Sequence, residues 1–464
     1  MIRPERTRTV MMLPNPSTAN PQDHPVAPAS ARTAAEMVAA RLREHGFQAY
    51  FVGGCVRDLL RGEEPTDWDI ATDACPADVL KLFPHSLMIG AQFGVVGVLM
   101  EKECVEVATF RNDGLYSDGR RPDTVSYTRD PREDVLRRDF TINGLLMEPG
   151  TGNVLDYVEG QKDIERRIVR AIGAPERRFA EDRLRMLRAI RFAATLEYEI
   201  DAATFSAVRA HAEGIQEVSA ERVRDELLRI LTSGQARRGF ELLDASGLLA
   251  HILPEISAMK GVAQPPEFHP EGDVWTHTLL MLEMLAKNCS ETLAAGVLLH
   301  DVGKPPTYRV APDRIRFDHH VSVGARMAEQ ICRRLRLSHD QTAQAVALVE
   351  NHLRFKDVPQ MRSSTLKRFL RLEHFEEHME LHRLDCLSSH RNLDSYEYVR
   401  LKMRELPAES IHPPRLFSGD DLIAMGLAPG PRFAEILRAV EDAQLEGQVG
   451  SRDEAIEWVR RHLQ

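Results

Sequence analysis

Closely spaced cysteines are missing from this chain. Its six cysteines, at positions 55, 75, 104, 289, 332 and 386, are scattered and form no CxxC pair. That argues against a disulfide framework or a zinc ribbon and fits a reducing cytosol. Long apolar runs are missing too: nothing approaches the roughly 18–20 residues needed to span a bilayer. The opening stretch, MIRPERTRTVMMLPNPSTANPQDHPVAPAS, has no sustained apolar core, so it does not read as a secretory signal. It is rich in Pro, Asn and Ser, and residues 1–28 are expected to be a disordered tail or a mis-assigned start. There is no excess of positive charge. A net charge of −10 gives no global case for nucleic acid. No fixed-period repeat is visible, and no low-complexity segment beyond the N-terminus.

What is present points to a globular, multidomain chain. With 464 residues it is too long for one ordinary core, and 43% hydrophobic with 28% charged residues suits a packed protein. Basic charge is concentrated locally, at Arg120-Arg121, Arg137-Arg138, Arg166-Arg167 and the run from Arg177 to Arg191. Phosphate contact needs such a patch rather than a basic average. Solvated helix faces are the alternative for any one cluster.

Residues 29–46 read as a helix ending on Gly46, followed by QAYFVGG as a strand, CVRDLLRG as a short helix and DWDIATD as a second strand. The runs at 95–100 and 104–110 are β-rich, and RNDGLYSDGRRPDT is a loop by its Gly, Asp, Ser and Pro content. From about residue 131 the pattern turns helical and remains so, interrupted by strand-like NVLDYV and RIRFD. An α/β module therefore precedes a long all-α region. The expected segments are the tail 1–28, a head 29–170, a helical neck 171–260, a further helical domain 261–392 and a C-terminal helical tail 393–464.

The stretch PTDWDIATD carries the first chemical signal. Residues two apart on a strand project from one face, so Asp67 and Asp69 would stand side by side with Trp68 and Ile70 packed behind. Two carboxylates that close repel, and a cation removes the penalty. An oxygen-lined site suits Mg²⁺, which also takes water and substrate phosphates. Upstream, Gly53 and Gly54 precede a helix and let backbone approach a triphosphate, and Arg57 adds charge. Glu106, alternating with valines in VEV, is a candidate third carboxylate. A lone DxD is more often a surface turn; GG–x₂–RD, DxD and a later Glu between two valines are together far more specific.

That combination resembles the nucleotidyltransferase superfamily of polymerase-β-like enzymes. RRDFTINGLL (137–146) and EDRLRMLRAIRFA (181–193) narrow the resemblance to class II CCA-adding tRNA nucleotidyltransferases and their relatives, the bacterial poly(A) polymerases. It covers roughly residues 47–250. It implies a polymerase-β-like head with a mixed sheet and helices, followed by helical domains. It also implies that Asp67 and Asp69 bind the metals and that Arg138 and Asp139 contact the nucleotide's sugar and phosphates. Asp182 and Arg185 would read the incoming base, with Arg188 and Arg191 as further nucleotide contacts.

The base-reading role has its own rationale. At i and i+3 on one helix, Asp182 and Arg185 can pair. A carboxylate accepts from an exocyclic amine and a guanidinium donates to a ring nitrogen, a pattern offered by cytosine and adenine but not by uracil or guanine. The bland reading is an ordinary helix ion pair of little worth. The loop 111–123, with Asp118, Arg120 and Arg121, is a candidate for the switch from C to A, with a plain surface loop as the alternative. The chain departs from the family pattern at Val95, where Thr is frequent, and at Gly144, where Ala is usual. It lacks the arginine-rich strand typical of poly(A) polymerases, which favours tRNA.

Residues 269–385 hold a second constellation: HPEGDVWTHTLL, LLHDVGKPP, FDHHVSVGARMAEQI, VENHLRF and LHRLDCLSSH. It resembles the HD phosphohydrolase domain. His277, His300, Asp301 and Asp385 match its metal ligands, and His320 and His352 its accessory histidines. Imidazole with carboxylate suits a transition metal such as Mn, Ni or Fe, and Mg more loosely. The segment LFSGDDLIAMGLAPGPRFAEILRAVEDAQLEGQ looks like helix-turn-helix, broken at Gly426 and Gly430; holding tRNA and simple packing both fit it.

The leading expectation is therefore a cytoplasmic, template-independent enzyme that adds CCA to the tRNA 3′ end from CTP and ATP, with Mg²⁺ in the head and no membrane partner. An A-adding enzyme or poly(A) polymerase is the first alternative. An HD metal-dependent phosphohydrolase whose N-terminal module only binds nucleotide or RNA is the second.

Overall fold

Residues 30–90, 94–114 and 124–462 are described by the computed structural model. The expectations for residues 1–28 and for Asp118, Arg120 and Arg121 fall outside them. Two compact units divide the chain. The first takes the N-terminal part up to Arg111, with Tyr127–Pro131 and Leu146–Leu155; the second takes Asn112–Ser126, Arg132–Leu145 and the chain from Asp156 onward.

The first unit opens with helix α1 (Ala31–Glu44), whose Ser30 cap accepts a hydrogen bond from the Thr33 N–H. Its buried residues, Ala34, Ala35, Val38, Ala39 and Leu42, recur at helical spacing and form one apolar stripe. Strand β1 (Ala49–Val52) leads into the short helix α2 (Gly54–Leu60). Strand β2 (Asp69–Thr72) follows, then a helix at Pro76–Leu82. Strands β3 (Ser86–Gly90), β4 (Val95–Met100) and β5 (Glu103–Thr109) come next. With Leu145–Met147 and Val154–Asp156 they form a seven-stranded mixed sheet in the order β3-β4-β5-β2-β1, then those two strands. Only the β2–β5 pair among these registers is parallel.

The sequence reading differs from this sheet in a few places. β2 begins at Asp69, so Asp67 lies two residues ahead of the strand instead of on it. The helix at Pro76–Leu82 and the strands Ser86–Gly90 and Leu145–Met147 carry no clean period and were not anticipated. The NVLDYV and RIRFD pieces do contain strands, Val154–Asp156 and Ile315–Phe317, the latter in a hairpin with Tyr308–Val310.

The second unit is overwhelmingly helical. Helices Leu184–Thr195, Ala220–Leu231 and Ala236–Ala245 pack closely, and Gly239 permits it: a Cβ there would fall 2.2 Å from Ile230 Cγ2. Gly144, where the resemblance expects Ala, has a comparable cause. An added methyl would meet Ile172 and Val158 at 3.0 Å and Val135 at 3.3 Å. Further on, helices Val274–Glu283, Glu291–Leu299, His320–Arg334, His339–Asn351 and Phe375–Ser388 surround a histidine cluster. The C-terminal segment buries its own small core of Phe417, Leu422, Ile436, Val440 and Val459. Gly426 is left-handed there (φ +87°), while Gly430 is not. Among the described residues no helix is long and apolar enough to cross a membrane.

Candidate functional site

In the first unit, register brings the acidic side chains together. Asp69 is the parallel partner of Glu106 on β5 and the antiparallel partner of Val52 on β1. Residues paired directly across a ladder point to the same face. The neighbours confirm the facing: Trp68, Ile70, Val105 and Val107 are buried, while Glu106 and Asp67 are exposed and Asp69 is half-buried. Trp68 is pinned edge-on against Phe51, with ring centroids 4.9 Å apart, which fixes the backbone between the two aspartates. One residue past Val52, Gly53 caps α2 at φ 77°, ψ −128°, a conformation that a side chain would resist. Arg57, on that helix, is engaged by Asp58 through two bonds of 2.9 and 3.0 Å. Glycine turn, Asp69 and Glu106 thus lie in a row across three adjacent strands.

In the second unit a ladder of arginines and carboxylates holds the other sequence-selected residues. Asp134 is 1% exposed and receives both Arg137 and Arg138. Burial would raise its carboxyl, but the two guanidiniums hold it below the usual range. Asp139 accepts the Phe140 N–H at 2.8 Å and two bonds from Arg188 at 2.9 and 2.6 Å. Burial again works against the charge, and Arg188 overrides it, setting the Asp139 carboxyl at about 2. Arg191 is bound to Glu226, and its guanidinium lies 3.9 Å from the Phe192 ring centroid.

The expected pair of Asp182 and Arg185 does not form. Asp182 ends the helix Pro175–Glu181 at φ −148°, ψ 108°, and the next helix starts only at Leu184, so the two residues do not share one helix. Arg185 instead bonds Glu181 at 2.8 Å and the Arg137 carbonyl at 3.1 Å. Asp182 is held by Arg222, from the helix Ala220–Leu231, at 3.1 and 2.7 Å. Glu226 stands one turn further along that same helix. Sequence reasoning missed both Arg222 and Glu226. Their spacing at i and i+4 in AERVRDELL was the available signal, and it reads equally as a solvated face.

The histidine cluster in the same unit gathers every residue selected for it. Asp301, 2% exposed, sits at its centre. His300 Nε2 is 3.1 Å and His277 Nε2 4.0 Å from Asp301 Oδ2, and His277 Nε2 is 3.2 Å from Asp385 Oδ1. His320 and His352 present Nε2 to Asp301 Oδ1, both at 3.9 Å. None of the Nε2 atoms of His277, His300 and His320 has a hydrogen-bond partner, although each is buried. Buried polar atoms are seldom left unpaired. Nitrogen and carboxylate donors converging without hydrogen bonds have the chemistry of a divalent-metal site, so the residues fit such an ion.

The other ring nitrogens are all engaged. Nδ1 of His300, His320 and His352 lies 2.8, 2.8 and 2.7 Å from the carbonyls of Val297, Phe317 and Val349. His277 Nδ1 lies 2.7 Å from Glu271, which also holds His269 at 2.8 Å. Such partners fix ring orientation and leave Nε2 with the lone pair. Glu271 and His269, in HPEGD, escaped the sequence reading, as did Lys304, whose buried ammonium binds Asp301 Oδ2 at 2.7 Å and Gln264 at 2.6 Å. A cleft of about 850 Å³, lined by Phe268, His269, His352, Lys356 and Asp385 among others, opens onto the cluster.

These features set a mixed sheet carrying a registered carboxylate pair ahead of a helical unit that gathers histidines and carboxylates around Asp301. Comparison with known proteins gives the same order of parts. The family model for the Poly A polymerase head domain matches residues 49–170, that for the "Probable RNA and SrmB- binding site of polymerase A" residues 197–260, and the HD domain residues 274–391. The chain is 37% identical over 256 residues to the CCA-adding enzyme of Lactobacillus johnsonii, covering 54% of this chain and 64% of that one. It is 43% identical over 218 residues to the CCA-adding enzyme of Geobacillus kaustophilus, covering 47% and 54%. The match thus spans between about half and two thirds of these relatives' length. The crystal structure of the Bacillus stearothermophilus CCA-adding enzyme in complex with CTP superposes with a TM-score of 0.71 at 26% identity, over 93% of this chain and 97% of that one. The Thermotoga maritima CCA-adding enzyme complexed with tRNA shares the fold, with a TM-score of 0.55 at 18% identity.

Proposed function

We propose that this protein is a template-independent tRNA nucleotidyltransferase that completes the CCA terminus from CTP and ATP. The observation that carries the reading is the registered pair Asp69 and Glu106 beside the Gly53 turn, with Asp67 two residues away, in a chain so similar to named CCA-adding enzymes. Mg²⁺ held by Asp67 and Asp69, with Glu106 in support, would activate the RNA 3′-hydroxyl and neutralise charge on the α-phosphate and the leaving pyrophosphate. Gly53 and Gly54 let backbone N–H groups approach the triphosphate, and Arg57 adds positive charge there, while Arg138 is a further nucleotide contact. Asp139, kept ionised by Arg188, accepts from the nucleotide's sugar. Asp182 and Arg185 read the base edge, each set by its own partner and not by the other. Scattered, unpaired cysteines suit a cytoplasmic enzyme. The segments 29–170, 171–260, 261–392 and 393–464 are our division into head, neck, HD domain and tail.

A second activity is favoured by the histidine cluster: phosphoester hydrolysis with a transition metal such as Mn, Ni or Fe, which would lower the pKa of a bound water. His277, His300, Asp301 and Asp385 would hold it.

The deciding experiment supplies purified protein with tRNA lacking its last three nucleotides and labelled CTP or ATP. Completion to CCA supports the proposal. Addition of A alone to a CC end supports an A-adding enzyme, and a lengthening A tract a poly(A) polymerase. No incorporation alongside metal-dependent hydrolysis of a 2′,3′-cyclic phosphate would leave only the HD activity.

A further inference from the structure

The helix Ala220–Leu231 has two faces with different partners. At 3.6 residues per turn, Arg222 and Glu226 lie about 40° apart around it, while Arg224, Leu227, Leu228 and Leu231 centre roughly 170° away. The first face meets the residues selected for the nucleotide. Arg222 holds the Asp182 carboxylate by two bonds, and Glu226, 4% exposed, binds Arg191 and approaches Arg188 at 3.7 Å. The second face meets helices that surround the histidine cluster. Leu227, Leu228 and Leu231 are buried, as are Leu298 on Glu291–Leu299 and Ile331 on His320–Arg334, and all of them wall one small cavity of about 30 Å³.

Two polar ties hold the helix on the same side. Arg224 donates to the Arg336 carbonyl at 2.5 Å, just past the end of His320–Arg334. The Thr232 carbonyl, at the helix's C-terminal cap, accepts the Asn288 N–H at 2.8 Å. Gly234 lets the chain pass close by: it is left-handed (φ +80°), and a Cβ there would lie 3.2 Å from Lys287 Cβ. The helix is thus a middle layer, with Leu184–Thr195 against it on one side and the helices around the cluster on the other. Arg222 and Glu226 ride on that one helix, so neither side chain is placed more precisely than the helix itself. Packed carbon resists sliding or turning, because a shift opens cavities.

We propose that the helices around the histidine cluster are the seat for base selection. Leu231 and Ile331, facing one cavity, and Arg224 on the Arg336 carbonyl are positioning residues. They fix Arg222 and Glu226, and through these Asp182, Arg188 and Arg191. This rests on the base-reading role proposed above and adds residues that touch neither nucleotide nor cluster ligand. It also gives the HD-matched part of the chain a task that requires no hydrolysis.

The test is steady-state incorporation by the full chain with all four nucleotides. Selectivity, the ratio of kcat/KM for CTP or ATP to that for UTP or GTP, is independent of the fraction of protein that is active. A merely structural role therefore leaves it in place. Ile331→Ala is expected to lower the ratio roughly 10-fold, short of the 100-fold that a full 1 Å displacement costs, and Ile331→Val to return it close to the parent's. Arg224→Ala, at a half-buried position, is expected to lower it as well, and it decides the matter should Ile331→Ala not fold. Leu366→Ala, in the separate core of Phe355 and Phe369, is the control, expected to lower the melting temperature while keeping the parent's selectivity. Parent selectivity in both Ile331→Ala and Arg224→Ala overturns the seat and leaves the nucleotidyltransferase reading in place. An equal fall in Leu366→Ala does the same. A parent protein that adds no nucleotide overturns both.

Discussion

Asp182 and Arg222 form a two-bond ion pair, at 3.1 and 2.7 Å, between residues that are forty positions apart. The carboxylate also accepts the Leu184 N–H at 3.0 Å, so its orientation is set by a helix start on one side and a guanidinium on the other. Arg185 is fixed separately through Glu181. Under the proposed function, base recognition by these two residues would depend on two independent supports.

Removing Arg222 should therefore harm selectivity before it harms folding. Arg222→Ala leaves Asp182 with one neutral partner and freedom to rotate. A misplacement of this kind costs on the order of 100-fold in rate. We expect kcat/KM for CTP and ATP to fall by about that factor, with rejection of UTP weakened and the melting temperature shifted only slightly. Steady-state incorporation assays with all four nucleotides measure this. Unchanged selectivity would show that Asp182 does not read the base.

Glu106 is expected to behave as a metal-supporting carboxylate, because its register partner is Asp69 and its own side chain is exposed. Glu106→Gln keeps the shape and removes the charge. Losing one such oxygen ligand weakens metal binding by roughly 10–100-fold. Nucleotide addition should then need correspondingly more Mg²⁺, and a titration of rate against Mg²⁺ reports it. A rate curve superimposable on the parent's would remove Glu106 from the site.

How far the sequence could carry these assignments depended on whether the partners were local. Glu106 between two valines, and Asp69 between Trp68 and Ile70, are period-2 signals that survive without knowledge of the fold. Asp67 shares the signal but stands outside β2, because the strand hydrogen bonds to β1 begin only at the Val52–Asp69 pair. The pairing of Asp182 with Arg185 was the most natural local inference and is incorrect, since the chain leaves the helix at Asp182. Its actual partner is set by helix packing, which no local pattern encodes. The gathering of the histidine cluster was legible because His300-Asp301 is a compact doublet with matched histidines around it. Glu271 was not, since one glutamate in a Pro- and Gly-rich loop looks like any solvated acid. The strand Ser86–Gly90 was hidden for another reason: Leu87, Met88 and Ile89 are all exposed, so no alternation marks it.

Gly303 couples the turn after Asp301 to the helix bearing His320. A Cβ there would lie 2.1 Å from the His320 carbonyl oxygen and 2.6 Å from the Gly324 nitrogen. Both are backbone atoms, so the elements themselves must separate. Overpacking of this kind costs about 1–3 kcal/mol. Gly303→Ala should lower the melting temperature and weaken Mn²⁺ binding by the cluster, while the nucleotide addition proposed for the head should be unaffected. Calorimetric metal titration beside the incorporation assay tests the separation of the two effects.

His378 gives a pH dependence of stability whose sign can be worked out. It is 1% exposed, and neither ring nitrogen has a hydrogen-bond partner. Burial pushes its pKa down from 6.5 to about 4, with nearby Glu377 opposing the shift and Arg354 adding to it. Unfolding exposes the ring and restores the ordinary value, so below about pH 6.5 the unfolded chain binds a proton that the native one refuses. The stabilising contribution is complete above that pH and is lost as the pH falls toward 4, to a limit of about 3 kcal/mol. His378→Leu removes this term at little cost in volume. Between pH 7 and pH 5 the variant should lose about 2 kcal/mol less stability than the parent. Urea melts of both at the two pH values measure the difference, and equal losses would mean that the native ring protonates in place.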